Sequence, residues 1–211
     1  MDLTKGTLQE KKGRAKKMML WFGIISLIMS FGGLTSAFIV SSTREDWVRD
    51  FQLPESFTRS TIIIVVSSIL LFASKKMLIR TQYSRSVALL IGTFVFGLAF
   101  IYTQFSGFNE LIAMGYNFTG PTSNITMSYI YIIAVFHILH VLAGLICLAV
   151  VIVRHLKKAY TPKDKTGFDL ASTFWHFIDF LWLYLFFFIY FFNRINSVSY
   201  THLRAHETRH D

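Results

Sequence analysis

Phe174-Trp175-His176-Phe177-Ile178-Asp179-Phe180-Leu181-Trp182-Leu183-Tyr184-Leu185-Phe186 lies inside an apolar stretch long enough to cross a bilayer, yet it holds a His and an Asp three residues apart. A charged Asp at the centre of a membrane helix costs roughly 2.5–3.5 kcal/mol on insertion scales. Asp179 must therefore be neutral, paired or close to water. Its natural partners are His176 on its own helix and a His of the preceding apolar stretch. Ionisable groups at membrane depth are functional candidates by default.

The rest of the chain agrees with a membrane setting. Of 211 residues, 53% are hydrophobic and 17% aromatic, with 22 Phe against 3 Pro, which is too apolar for an ordinary soluble domain. The net charge of +9 does not point to nucleic acid, because the basic residues cluster in short segments between apolar runs. Cys147, the single cysteine, excludes an intrachain disulfide. The basic start followed by the long apolar stretch 18–40 reads as a first transmembrane helix rather than a cleaved signal peptide.

Five spans are predicted, at about 18–41, 57–79, 87–107, 125–153 and 170–192. In the second, the uncharged part 60–74 is short, so Lys75 and Lys76 are expected to snorkel. The arm before the first span holds six Lys/Arg, the segment 75–85 four and the segment 154–169 five. The segment 42–58 sets Arg44 and Arg49 against four acids, and 108–124 holds no base. Alternate connections are basic, which places the N-terminus inside and the C-terminus outside. The fold class is thus all-α, one membrane bundle of five helices. The domain layout is a basic cytoplasmic arm at 1–17, the membrane domain at 18–193 and a polar tail at 194–211. Two glycosylation-like triplets, at Asn117 and Asn124, carry little weight.

Small residues mark helix faces. Gly23, Ser26, Ser30, Gly33 and Ala37 share one face of the first helix, and Thr93, Gly97, Gln104 and Gly107 lie on the third. Such stripes let helix backbones approach closely and are expected to pack in the bundle. On the fourth helix His137, His140 and Gly144 share a face; on the fifth, His176 and Asp179 do, flanked by Trp175 and Trp182. A His–Asp pair can be simple polar glue between helices. For His137 and His140, helix–helix hydrogen bonds, headgroup contacts and metal ligation compete; His-x-x-His alone is a weak metal signal. Haem ligation requires His residues facing each other across a gap. No nucleotide, hydrolase or Cys-x-x-Cys motif is present.

The residues from Phe174 to Trp182 resemble the Trp-His-Phe-x-Asp-x-x-Trp signature in the last helix of subunit III of haem–copper oxidases. Phe136-His137-Ile138-Leu139-His140-Val141-Leu142-Ala143-Gly144 resembles that family's His-x-x-His-Val-x-x-Gly segment one helix earlier. Leu20-Trp21-Phe22 and Met29-Ser30-Phe31-Gly32-Gly33-Leu34 look like its first helix, and Gln104 falls where the third helix usually has Gln. The resemblance covers about 16–193 and is to the five-helix bacterial form.

That resemblance implies an accessory subunit of a respiratory complex, most simply a cytochrome c oxidase, in the bacterial inner membrane. Its partners would be catalytic subunit I, subunit II and membrane phospholipid. Haem and copper would sit in the partners, and this chain would hold no cofactor, metal or catalytic residue of its own. His137, His140, Trp175, His176 and Asp179 would be structural, lipid-contacting or proton-path residues. Gly23, Ser26, Ser30, Gly33 and Gly144 would serve helix packing. A quinol oxidase or a nitric-oxide-reductase-associated relative is the alternative parent. A small b-type cytochrome using His137 or His140 with His176 is the alternative of another class. Two departures stand out. Leu27 replaces an acid that the family often carries in its first helix. The tail Ser199-Tyr200-Thr201-His202-Leu203-Arg204-Ala205-His206-Glu207-Thr208-Arg209 looks like a translated sequencing adapter and is assigned no function.

Overall fold

A computed structural model describes the backbone of residues 7–48, 51, 53–120, 123–158, 160 and 164–207, with the side chains of 9 and 195–207 left aside. Within these residues the chain is helical, with no strand. The helices are α1 (Leu8–Ser41), α2 (Glu55–Ile79), α3 (Tyr83–Ala113), α4 (Ile125–Leu156) and α5 (Thr166–Glu207). All five are long and apolar enough to cross a membrane. The tail reading falls on side chains and residues outside those described, although the α5 backbone continues to Glu207.

The helices outrun the predicted spans at their polar ends. α1 starts at Leu8, so the basic residues from Lys11 to Lys17 lie in its first turns. Thr7 and Glu10 make a capping box: the Thr7 hydroxyl accepts from Glu10 N–H, and the Glu10 carboxylate accepts from Thr7 N–H. With 34 residues, α1 is about 51 Å long against a hydrocarbon core of about 30 Å. Asn124 caps α4, its Oδ1 accepting from Met127 N–H at 2.8 Å. Beyond α3 the chain turns through Gly115, whose φ of +86° suits a residue without Cβ.

α2 and α3 form the closest pair, and the reason is a serine row. Ser60, Ser67 and Ser74 recur every seven residues, which keeps them on one face of α2. Gln104 Nε2 donates to Ser60 Oγ at 2.7 Å. Ser67 Oγ donates to the Thr93 carbonyl at 3.1 Å. Ser74 Oγ donates to the Ser86 carbonyl at 2.7 Å, and Ser86 Oγ returns a bond to the Ser74 carbonyl at 2.9 Å. Ile64, Leu71 and Leu78 fill the layers between the hydroxyls. Small polar residues that bond across helices are the natural cement where lipid removes the hydrophobic drive.

Ion pairs close both ends. Arg59 reaches Glu110 at 3.3 Å, and the Ser56 hydroxyl also bonds that carboxylate. Lys75, expected to snorkel, instead meets Asp169 in the first turn of α5 at 2.8 Å. In the 42–54 connection, hydrogen bonding to Arg44 holds the exposed Asp46 carboxyl below its usual range.

α1 is the peripheral helix, touching α4 and α5 through Ile24, Phe31, Thr35 and Phe38. Gly23, Ser26, Ser30 and Gly33 lie on the exposed face of α1, and no atom outside the helix backbone lies within 4 Å of a Cβ built at Gly23 or Gly33. Within this chain the stripe packs against nothing, because the large residues of α1 hold the inward face.

Candidate functional site

The signature on α5 is the packing centre of the bundle. Trp175 is 1% exposed, and its indole Nε1 donates to Ser67 Oγ of α2 at 3.2 Å. A Cβ at Gly97 of α3 would stand 2.7 Å from the Trp175 ring, and one at Gly144 of α4 would stand 3.0 Å from it. Those two glycines make the notch that admits the indole. Two turns on, Trp182 Nε1 donates to Thr61 Oγ1 of α2 at 3.0 Å. Its ring lies 5.2 Å from Phe100 and 5.1 Å from His137. Each tryptophan therefore ties α5 to α2 through its polar edge and to α3 and α4 through its faces.

The charged pair of the signature divides its attention. His176 Nδ1 and Ser68 Oγ of α2 are 2.6 Å apart, and His176 is half-exposed on the α2–α5 seam. Asp179 is 4% exposed. Ser68 is its polar neighbour, but neither carboxylate oxygen makes a hydrogen bond of ordinary geometry. The expected pairing of Asp179 with His176 or with a His of the fourth helix is thus absent. The polar contact of α5 runs to α2 because the serine-bearing face of α2, and not the histidines of α4, meets this side of α5.

His137 is fully buried, walled by Phe31, Phe100 and Trp182, and neither ring nitrogen has a hydrogen-bond partner. His140 sits half-exposed one turn on, its Nδ1 2.6 Å from the Phe136 carbonyl and its ring 5.7 Å from Phe31. The imidazoles of α4 and α5 thus address different neighbours. Among the described residues no three of His, Cys, Asp and Glu gather as a metal site. Leu27 packs against the aliphatic and aromatic cluster around Phe31 and Phe38.

Two further features were not singled out in the sequence. His155 is 1% exposed, with Nε2 3.0 Å from Ser86 Oγ and its ring beside Tyr83, Tyr160 and Phe168. It falls at the polar end of the fourth apolar stretch, where it reads as part of a loop. The second is a groove of about 650 Å³ between α1, α4 and α5, lined by residues such as Met19, Leu20, Ile146, Val150 and Phe174. At its basic end it meets a smaller space of about 340 Å³, bordered by Lys12, Lys16, Arg154 and Asp164. An apolar trough under a cationic rim has the shape and charge of an anionic amphiphile site.

A family model described as cytochrome c oxidase subunit III matches residues 5–194, which include α1 to α4, α5 as far as residue 194, and Trp175 and Trp182. The chain belongs to the cytochrome c oxidase subunit III family. Subunit 3 of the cytochrome bo(3) ubiquinol oxidase of Pseudomonas putida is 32% identical over 166 residues, 78% of this chain and 76% of that protein. The corresponding Buchnera aphidicola subunit is 29% identical over 190 residues, 86% of this chain and 89% of its own length. Cytochrome c oxidase subunit 3 of Chondrus crispus is 34% identical over 131 residues, covering 62% and 46%. Members of this subunit III family are accessory subunits of haem–copper oxidases. The Trp175 notch and the serine row lie within the matched residues and join the helices of the bundle.

Proposed function

We propose that this chain is the non-catalytic subunit III of a respiratory haem–copper terminal oxidase in a bacterial inner membrane. It supports assembly, lipid binding and proton uptake while its partners reduce dioxygen. The N-terminus and the basic connections face the cytoplasm, following the charge bias of the loops. Residues 18–193 form the membrane domain, 1–17 the basic arm, and 194–211 a tail outside the functional unit. The partners are catalytic subunit I and subunit II, which carry haem and copper.

One observation carries this reading: the chemistry-bearing run of α5 is spent on binding helices together. Trp175 and Trp182 each donate to α2, and His176 engages Ser68. The groove beside α1 supports the lipid role. Its cations, Lys12, Lys16 and Arg154, suit a phosphate headgroup, and its wall suits acyl chains. Affinity purification in mild detergent, with mass spectrometry of the retained chains, tests the proposal. Stoichiometric haem–copper subunits I and II are expected; a chain that purifies without them overturns it.

A second reading concerns the electron donor. The relatives matched over 166 and 190 residues are named ubiquinol oxidase subunits, whereas the cytochrome c oxidase relative of Chondrus crispus matches over 131. This favours a quinol-oxidising parent. A co-purified subunit II without bound dinuclear copper supports it, and one that contains the copper pair restores cytochrome c as donor.

A further inference from the structure

Two half-exposed imidazoles stand at membrane depth on different faces of the bundle. His140 lies by α1 and turns one nitrogen back to its own helix at Phe136. His176 lies on the α2–α5 seam, where Ser68 fixes Nδ1 and hence the ring plane. Its Nε2 has no protein partner among the described residues. Residue 176 is six positions beyond the start of the predicted fifth span at 170, about 9 Å along the helix axis. Acyl chains offer no hydrogen bond, and an unsatisfied polar group in hydrocarbon costs several kcal/mol. A polar side chain of a neighbouring membrane helix would supply the missing partner.

The surroundings fit such a contact. Phe72, Ile69 and Phe180, exposed by 65%, 61% and 69%, are large apolar residues of the two helices that bear this seam. Aromatic anchors around a central polar bond are the usual make-up of a binding centre. Toward the basic end the seam carries the Lys75–Asp169 pair, with side chains 35% and 27% exposed, as a polar rim. The exposed faces of α1 and α3 carry no histidine: on α1 the Ser30 hydroxyl is bonded to the Ser26 carbonyl and Trp21 presents an indole, and on α3 Tyr102 presents a phenol beside the apolar Val95 and Leu98.

We propose that the α2–α5 seam centred on Ser68 and His176 is the docking face for a transmembrane helix of a partner oxidase subunit, with a polar side chain of that helix hydrogen-bonded to His176 Nε2. This rests on the function proposed above and assigns the face through which it is carried out. By tautomer, the imidazole serves a donor or an acceptor.

The test uses the full chain in its purified complex. A benzophenone amino acid replaces Phe180 and, in a control, Leu98 on α3; both positions are exposed, so folding is not at stake. The expected result is a photo-crosslink from position 180 to a membrane-spanning oxidase subunit, and lipid adducts alone from position 98. In parallel, His176→Phe is expected to dissociate from the complex about threefold to tenfold more readily in detergent titration. Lipid adducts alone at position 180 while oxidase subunits co-purify, or unchanged retention of His176→Phe, overturn this inference and leave the function standing. A preparation without oxidase subunits overturns both.

Discussion

The indole of Trp175 donates to Ser67 Oγ at 3.2 Å, and the same hydroxyl donates to the Thr93 carbonyl at 3.1 Å. One serine thereby joins α5, α2 and α3. The two roles of Trp175, filling volume and donating a proton, are separable. Trp175→Ala should cost about 3–5 kcal/mol through the cavity it leaves. Trp175→Phe keeps much of the ring and leaves Ser67 bonded to Thr93, so its cost should stay near 1–2 kcal/mol, roughly one lost hydrogen bond plus imperfect fit. Unfolding of the reconstituted chain by denaturant measures both; equal losses would contradict this division.

The glycine notch gives a sharper contrast. Gly97→Ala brings a methyl group to 2.7 Å from Trp175 and 2.9 Å from Leu145, both buried, and should destabilise by about 1–3 kcal/mol. Gly23→Ala meets nothing within 4 Å and should be neutral or slightly stabilising, since Ala is the better helix former. Thermal midpoints of the two variants check the pair. A larger loss at Gly23 would return the α1 stripe to the interior of this chain.

Lys75 and Asp169 form a close charge contact between α2 and the start of α5. Because both side chains are partly exposed, a double-mutant cycle of Lys75→Met and Asp169→Asn should give a coupling of about 0.2–1 kcal/mol. The coupling should shrink toward zero in about 1 M salt, where the screening length is about 3 Å. A salt-independent coupling would show that the pair is shielded from solvent.

Orientation is open to direct labelling. In a Cys147→Ser background, Thr43→Cys lies in the connection after α1 and Lys157→Cys at the end of α4. A membrane-impermeant maleimide added outside intact spheroplasts should label position 43 and spare position 157. The reverse pattern would invert the proposed topology.

Much of this arrangement was legible in the sequence. Apolar length specifies five helices, and Thr93, Gly97, Gln104 and Gly107 of α3 are all buried as expected. The placement of the α1 stripe was not legible, because small residues look the same on a face packed within the chain and on an exposed one; only the position of α1 at the periphery tells them apart. The serine row of α2 carried its signal in its seven-residue spacing, which went unread because single serines are common in membrane helices. The partner of His176 was not legible: Ser68 is distant in the chain, and nothing local says which helix faces α5 on that side. His155 was hidden by its place among the basic residues that end α4.

The central claim is that this chain accompanies haem–copper chemistry without performing it. Reduced-minus-oxidised difference spectra of the affinity-purified complex, and of the chain after detergent stripping, test that most directly. The account predicts haem bands in the complex and a featureless stripped chain, unchanged by His176→Phe. A Soret band that stays with the isolated chain and disappears in His176→Phe would contradict it and make this protein a cytochrome.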